Sequence, residues 1–272
     1  MKKLLLSFSL TISCSLIMSM ETEIVIPTIS HIHQENLNKE LLKAVYAENT
    51  ELIQRLLYDG ANVNEQNDLG YTLLHYLPGG EDKDDIIANL LIKAGAQLNI
   101  QDQWGNSPLH ELIFCEGNYD HEDEPELINV YKNLINLYIE SGADLKLRNR
   151  DLETPLLRAM VHRSYIAAKI LLTSSQDVDV NAKDDGELTA LHMAAIDNTL
   201  DITKLLIENG AHIDHCDNYN HITPLHSAVC ENSFEVAELL IKSGANTTIQ
   251  DKLGFTASNY CKTKKIQSLF LK

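Results

Sequence analysis

Apolar residues along this chain come in short bursts at helical spacing, and five of these bursts end in glycine. Ile202, Leu205 and Leu206 repeat at three and four residues before Asn209-Gly210-Ala211, and Val236, Leu239 and Leu240 do the same before Ser243-Gly244-Ala245. That spacing predicts a one-faced helix. Glycine closes it, because only glycine readily takes the left-handed backbone of a helix C-terminus. The same ending recurs at Asp59-Gly60-Ala61, Ala94-Gly95-Ala96 and Ser141-Gly142-Ala143. Upstream of each such helix stands a second, shorter one. Thr223-Pro224-Leu225-His226 opens it: the hydroxyl can satisfy an orphan N–H, and proline suits the first helical position. Small residues such as Ala194, Ala195 and Ala228 let it lie close to its neighbours. Between units an extended stretch, for example residues 96–102, predicts a finger leading to the next turn.

The opening step recurs. Thr72-Leu73-Leu74-His75, Ser107-Pro108-Leu109-His110, Thr154-Pro155-Leu156-Leu157, Thr189-Ala190-Leu191-His192 and Thr256-Ala257-Ser258-Asn259 join Thr223, at intervals of 35, 47, 35, 34 and 33 residues. This pattern resembles the ankyrin repeat, with its T-P-L-H-x-A signature and period of about 33 residues. The resemblance covers residues 37–272. It implies an all-α solenoid of about seven helix-turn-helix units with finger-like β-turn loops. The units fall near 37–67, 68–102, 103–149, 150–184, 185–217, 218–250 and 251–272. The first lacks the opening step but keeps Ala44-Val45, Leu56-Leu57 and Gly60-Ala61, and the last shortens after Cys261, so both read as end caps.

Several positions depart from the family pattern. The third unit carries an acidic insertion over 115–126, and the second a smaller one over 78–85; stacking is expected to set these side by side on the helix–helix edge. Asp120, His121, Glu122 and Asp123 could ligate a cation, but no EF-hand spacing is present, so a solvated acidic loop is expected there. Family fingers carry glycine two residues before the threonine. Leu152, Glu187 and His221 stand there in units four to six, and a Cβ resists positive φ, so irregular fingers are expected in those units. The repeated His75, His110, His192 and His226 stand one per unit, about 10 Å apart for neighbouring helices. That is too far to share an ion, so each is expected to hydrogen-bond backbone nearby.

The resemblance implies a non-catalytic protein–protein interaction module, whose partner meets the concave surface of finger tips and first helices. Candidate contact residues are Asp68 and Tyr71 in the second unit and Gln103, Trp104 and Asn106 in the third. Arg150 and Glu153 follow in the fourth, Asp185 and Leu188 in the fifth, Tyr219 and Asn220 in the sixth, and Phe255 in the last. Trp104 and Tyr219 are the preferred anchors, since Trp and Tyr dominate interface hot spots.

Composition narrows the partner. Thirty-nine acids against 22 bases give a formal charge of −17, which repels phosphate backbones and anionic lipid, so nucleic acid is disfavoured and a protein, a basic one above all, is favoured. Only 6% of residues are aromatic, with a single Trp, so the core must be built from Leu, Ile, Val and Ala. The cysteines at 14, 115, 216, 230 and 261 form no CxxC pair and read as free thiols. No GxSxG, P-loop, HExxH or GxGxxG is present, and no room remains for a catalytic domain, so an enzyme is not expected. Cys230 near His226 reads as helix packing. A monomer without cofactor, metal or small-molecule substrate is expected.

The start of the chain differs in kind. Lys2 and Lys3 precede an apolar run from Leu4 to Met18, the shape of a secretory signal over residues 1–19, with cuts expected after Ser15 or Ser19. The run is too short and serine-rich to span a membrane. The expected location is therefore secreted or periplasmic. Two alternatives stand: a lipid anchor at Cys14, whose Thr11-Ile12-Ser13-Cys14 context has Thr where Leu is usual, and a cytosolic protein with an apolar start. Exported proteins seldom carry several unpaired thiols. A host-directed factor of an intracellular microbe, working in another cell's cytosol, would reconcile the two. Residues 20–36, with Pro27 and no clear period, read as a linker.

Overall fold

The computed structural model describes residues 29–77, 83–116, 125–175 and 177–271. The leader 1–19 and most of both acidic insertions therefore lie outside the described residues. Seven helix pairs follow one another. The first is α1 (Ile29–Tyr46) with α2 (Thr50–Tyr58). The second joins a 3-10 turn, Leu73–Tyr76, to α3 (Asp84–Lys93). The next two are α4 (Pro108–Glu116) with α5 (Pro125–Glu140), and α6 (Pro155–Val161) with α7 (Tyr165–Thr173). They are followed by α8 (Ala190–Ile196) with α9 (Leu200–Glu208), and α10 (Pro224–Cys230) with α11 (Phe234–Lys242). A 3-10 turn, Ala257–Tyr260, and the short α12 (Lys264–Gln267) close the stack. Among the described residues there is no β-strand, only isolated bridges at Lys183–Thr189 and Gln250–Thr256. No described helix is long and apolar enough to cross a membrane.

First helices pack on first helices (α4, α6, α8, α10) and second on second (α3, α5, α7, α9, α11). The core between these layers is Leu, Ile, Val and Ala, joined by Tyr131 and Tyr138. Tyr138 crosses from α5 to donate its hydroxyl to Leu74 O at 3.1 Å. The opening threonine works as its chemistry suggests: Thr223 accepts from the His226 amide, and Thr154 from that of Leu157. In the second unit the first helix stays a single turn, because Leu77 precedes Pro78 and leaves the helical region at φ −101°, ψ 88°.

The histidines are stacking clamps. In His110 and His192 Nδ1 accepts from the step hydroxyl, and Nε2–H donates to a carbonyl of the next finger, Glu153 O and Ile222 O, both at 3.1 Å. His75 reaches Asn106 O at 3.2 Å and His226 reaches Phe255 O at 3.3 Å. Burial pushes the pKa of His110 and of His192 down to about 4, so both rings are neutral at pH 7. Fingers are also stitched directly. Gln103 N donates to Leu69 O and Arg150 N to Trp104 O, both at 2.9 Å, and further on Asn218 N donates to Gly186 O and Lys252 N to Asn220 O. The fourth-to-fifth junction differs: Leu157 stands in the histidine position, and no backbone bond joins its two fingers among the described residues. There Arg148 spans the gap, donating from Nη1 to Leu152 O and Lys183 O, each at 2.8 Å.

Three expectations need correction. The stretch 20–36 is not all linker, because α1 begins at Ile29. Its first turns bury little and so show no apolar period. They are tied down by polar groups instead, with Gln34 donating to Gly60 O at 2.9 Å and Asn38 accepting from Asn62 N at 2.8 Å. The fingers of units four and five are regular, since Leu152 and Glu187 simply take the left-handed conformation, at φ +61° and +59°. Two backbone bonds close each turn, Leu152 N to Asn149 O and Asn149 N to Glu153 O in the fourth, and these offset the strain. The sixth finger does differ, but by one extra residue: Asp217 N closes on Ile222 O, while His221 is left-handed at +59°. Finally, the α9 periodicity puts Leu206 in the core at 0% exposure, whereas Leu205 is only partly buried.

Candidate functional site

Each finger is a turn held by the carboxylate or amide at its base. Asp102 Oδ1 accepts the amides of Trp104 and Asn106, both at 2.8 Å, and Gly105 turns the chain at φ +79°. This geometry decides which predicted contact residues face solvent. Asp68, Gln103, Trp104, Arg150, Asp185, Tyr219, Asn220 and Phe255 are exposed, and Tyr71 and Leu188 are half-buried. Asn106 and Glu153 are not available to a partner, being 5% and 8% exposed. They turn inward to one polar network. Asn106 donates to Glu111 Oε1 at 2.7 Å and accepts from Asn149 at 3.0 Å, while Glu153 pairs with Arg158 at 2.9 Å. The Arg158 guanidinium also lies 5.2 Å from the Phe114 ring centre and donates to His110 O.

The two preferred anchors sit differently. Trp104 joins an aromatic run: its ring lies 5.8 Å from Tyr71, which lies 5.7 Å from Tyr76, which lies 5.5 Å from Tyr46. Beside that run a groove of about 240 Å³ opens between α1 and the second finger, with Leu42, Tyr71, Leu73 and Tyr76 in its wall. Tyr219 stands apart, its ring lying over Gly186, where even a Cβ would come within 2.5 Å of it.

A row of residues missed at the sequence level completes the face. Phe114, Val161 and Ile196 are exposed on consecutive first helices, each seven residues after the opening Ser or Thr. Aligning the units on that residue would have found them, since the position is apolar in three consecutive first helices. Chemistry of other kinds is not assembled. His226 spends Nδ1 on Thr223 and Nε2 on Phe255 O, so it cannot activate Cys230. Cys216, Cys230 and Cys261 are free and half-buried, and burial pushes their thiols up. No described group of three His, Cys, Asp or Glu could hold a metal ion.

Paired helices stacked in register, with bonded fingers along one edge, define a helical-repeat solenoid. The family model "Ankyrin repeats (3 copies)" matches residues 41–122, 126–217 and 167–251, and the chain belongs to the ankyrin-repeat family. Human neurogenic locus notch homolog protein 2 is 33% identical over 167 residues and human neurogenic locus notch homolog protein 1 is 34% identical over 168, each match covering 61% of this chain. The chain spans only 6% of the length of those relatives. Among solved structures, the ankyrin repeat domain of Bcl-3 superposes with a TM-score of 0.66 at 22% identity, over 85% of this chain and 97% of that one. The human ASB11 ankyrin repeat domain gives 0.64 at 26% identity, over 85% and 96%. The fold is the one typical of protein–protein interaction modules.

Proposed function

We propose that the chain is a non-catalytic module that binds a protein partner along its concave face, between finger tips and first helices. One observation carries this reading: exposed apolar side chains recur on the fingers and at one register of three consecutive first helices. Leu69, Trp104, Tyr219 and Phe255 form the finger row, and Phe114, Val161 and Ile196 the helix row. Exposed apolar side chains clustered on one face, as Leu69 and Trp104 are on neighbouring fingers, mark interaction sites. The charge of −17 favours a basic partner and steers its approach. Surface-plasmon kinetics on a captured partner test the reading. Trp104→Ala should raise the off-rate at any salt by about 30-fold, the equivalent of ~2 kcal/mol for a desolvated aromatic anchor. Neutralising Glu122, Asp123 and Glu124 should slow only the on-rate, and only at low salt, since exposed charges are screened within ~8 Å. Abolished binding in that triple variant at high salt, with Trp104→Ala silent, would move the site to the insertion edge.

The basic-then-apolar start at residues 2–18 supports export of this module as a secreted, host-directed factor.

 Intact mass of the natively expressed protein checks this: a mature chain beginning near residue 16 or 20 supports it, and one retaining Met1 or Lys2 overturns it. A lipid-modified Cys14 at the new N-terminus would instead select the anchored form.

A further inference from the structure

Because the units repeat, one register can be compared along the stack: the residue at the base of the finger and the residue four positions after the opening Thr or Ser. The second and last units pair the two, whereas Met193 in the fifth has no group to offer and the Ser227 hydroxyl in the sixth is buried without a partner. In the second unit Asn67 donates to the Tyr76 hydroxyl at 2.6 Å. In the last, Asp251 accepts from the Tyr260 hydroxyl. The third unit places Asp102 opposite Glu111, two carboxyl groups in a register where every other unit has at most one. Asp102 is 7% exposed, and its Oδ2 is buried with no hydrogen-bond partner. In the units just named, the corresponding atom faces the site that Glu111 fills here.

The charges around this pair do not balance. Asp102, Glu111 and Glu153 are served by Arg158 alone, which holds Glu153 at 2.9 Å and stands 3.9 Å from Glu111. His75 and His110, the titratable groups facing it from the neighbouring turns, are held neutral at pH 7 by burial. Burial raises the Glu111 carboxyl above its usual range; Arg158 pulls it back down, and the nearby Asp102 charge adds to the rise. Gly70 brings the second finger directly onto Asp102, its ideal Cβ lying 2.9 Å from Asp102 Cα; Tyr71, next to Gly70, lies 5.8 Å from Trp104, whose amide donates to Asp102 Oδ1.

We propose that the acidic pair Asp102 and Glu111, beneath Tyr71 and Trp104, is the subsite that receives an arginine side chain of the protein partner. A guanidinium fits on two counts: its fork matches carboxylate oxygens, and its planar face stacks on aromatic rings. Its charge also answers the local excess of acid. The proposal rests on the concave face being the binding surface.

Trp104 is the only tryptophan, so its fluorescence reports the subsite directly. The probe is N-acetyl-arginine methylamide, titrated into the full chain beside its neutral isostere, N-acetyl-citrulline methylamide. The arginine probe should change Trp104 emission saturably, with the citrulline probe about tenfold weaker or worse, which corresponds to ~1.4 kcal/mol. The double variant Asp102→Asn, Glu111→Gln should lose that preference. Asparagine already fills the Asp102 register as Asn67 and Asn149, and thermal melting by circular dichroism checks that the variant folds. Equal response to both probes overturns the proposal, as does no response to either. So does the same emission change produced by magnesium or calcium chloride alone, which would make this a cation site. Kinetics on a captured partner separate the two levels of the argument. Sensitivity to Trp104→Ala without sensitivity to the double variant overturns the arginine subsite and leaves the concave face standing. Insensitivity to both overturns the face itself.

Discussion

Gly105 and Gly254 occupy the same place in their fingers, with almost the same backbone, φ +79° and +82°. Their surroundings differ. A Cβ on Gly105 would lie 2.9 Å from Arg150 N and 3.1 Å from Asn149 Cα, whereas one on Gly254, in the last finger, would meet nothing within 4 Å. Alanine at either position pays the left-handed penalty of roughly 1–2 kcal/mol. Reduced freedom of the unfolded chain returns about 0.4–1 kcal/mol. Gly254→Ala should therefore cost about 1 kcal/mol. Gly105→Ala adds an overlap against backbone that cannot rotate away. It pushes Arg150 N off the Trp104 carbonyl it holds at 2.9 Å, and such overpacking adds about 1–3 kcal/mol. Urea unfolding of both variants, followed by far-UV circular dichroism, measures the difference at matched slope. Equal losses would refute the argument that finger glycines serve the neighbouring finger, leaving only local backbone strain.

Two further outcomes follow from packing and titration. Leu206→Ala should cost about 2–5 kcal/mol in chemical denaturation, since this side chain is fully buried, and Leu205→Ala should cost clearly less because it is only partly so. His192 loses basicity on folding, so it favours the native state only while neutral. Its contribution is intact above about pH 6.5, the unfolded value, and is lost as pH falls toward 4. His192→Asn, which copies Asn259 of the last unit, should lower stability at pH 7 yet flatten the decline between those two pH values. An unchanged slope in an acid-titrated melting series would show that His192 is not buried neutral.

The elements legible in the sequence were those fixed by local backbone chemistry. Thr-Pro openings and glycine endings specify helix limits within a few residues of each other, so the seven pairs could be placed without tertiary information. Misreadings arose where contacts across units decide. Leu152 and Glu187 looked wrong for a left-handed turn, but the bonds closing that turn over-determine it. Residues 32–36 showed no apolar stripe, because the contact that fixes them is polar, from Gln34 to Gly60 O. At the site, exposure of Trp104 and Tyr219 followed from finger position alone, whereas the burial of Asn106 and Glu153 depends on Asn149 and Arg158 in the adjoining unit. No reading of a single unit contains that information.

Among the junctions between paired fingers, the fourth carries neither the histidine clamp nor the backbone stitch; Arg148 holds its finger layer, and the Arg163–Asp197 and Lys169–Asp201 pairs and the Asn209 bond to Leu172 O hold its helices. In a linear stack, load is passed only between nearest neighbours, so the assembly is as strong as its least-bonded seam. A chain drawn out by its ends in an optical trap should therefore part here first and yield two blocks, units one to four and five to seven. Short of rupture, the same seam sets where curvature is cheapest to change. The aromatic end of the concave face around Trp104 and the end around Tyr219 lie on opposite sides of it. Bending at this seam is therefore expected to change the distance between those two ends.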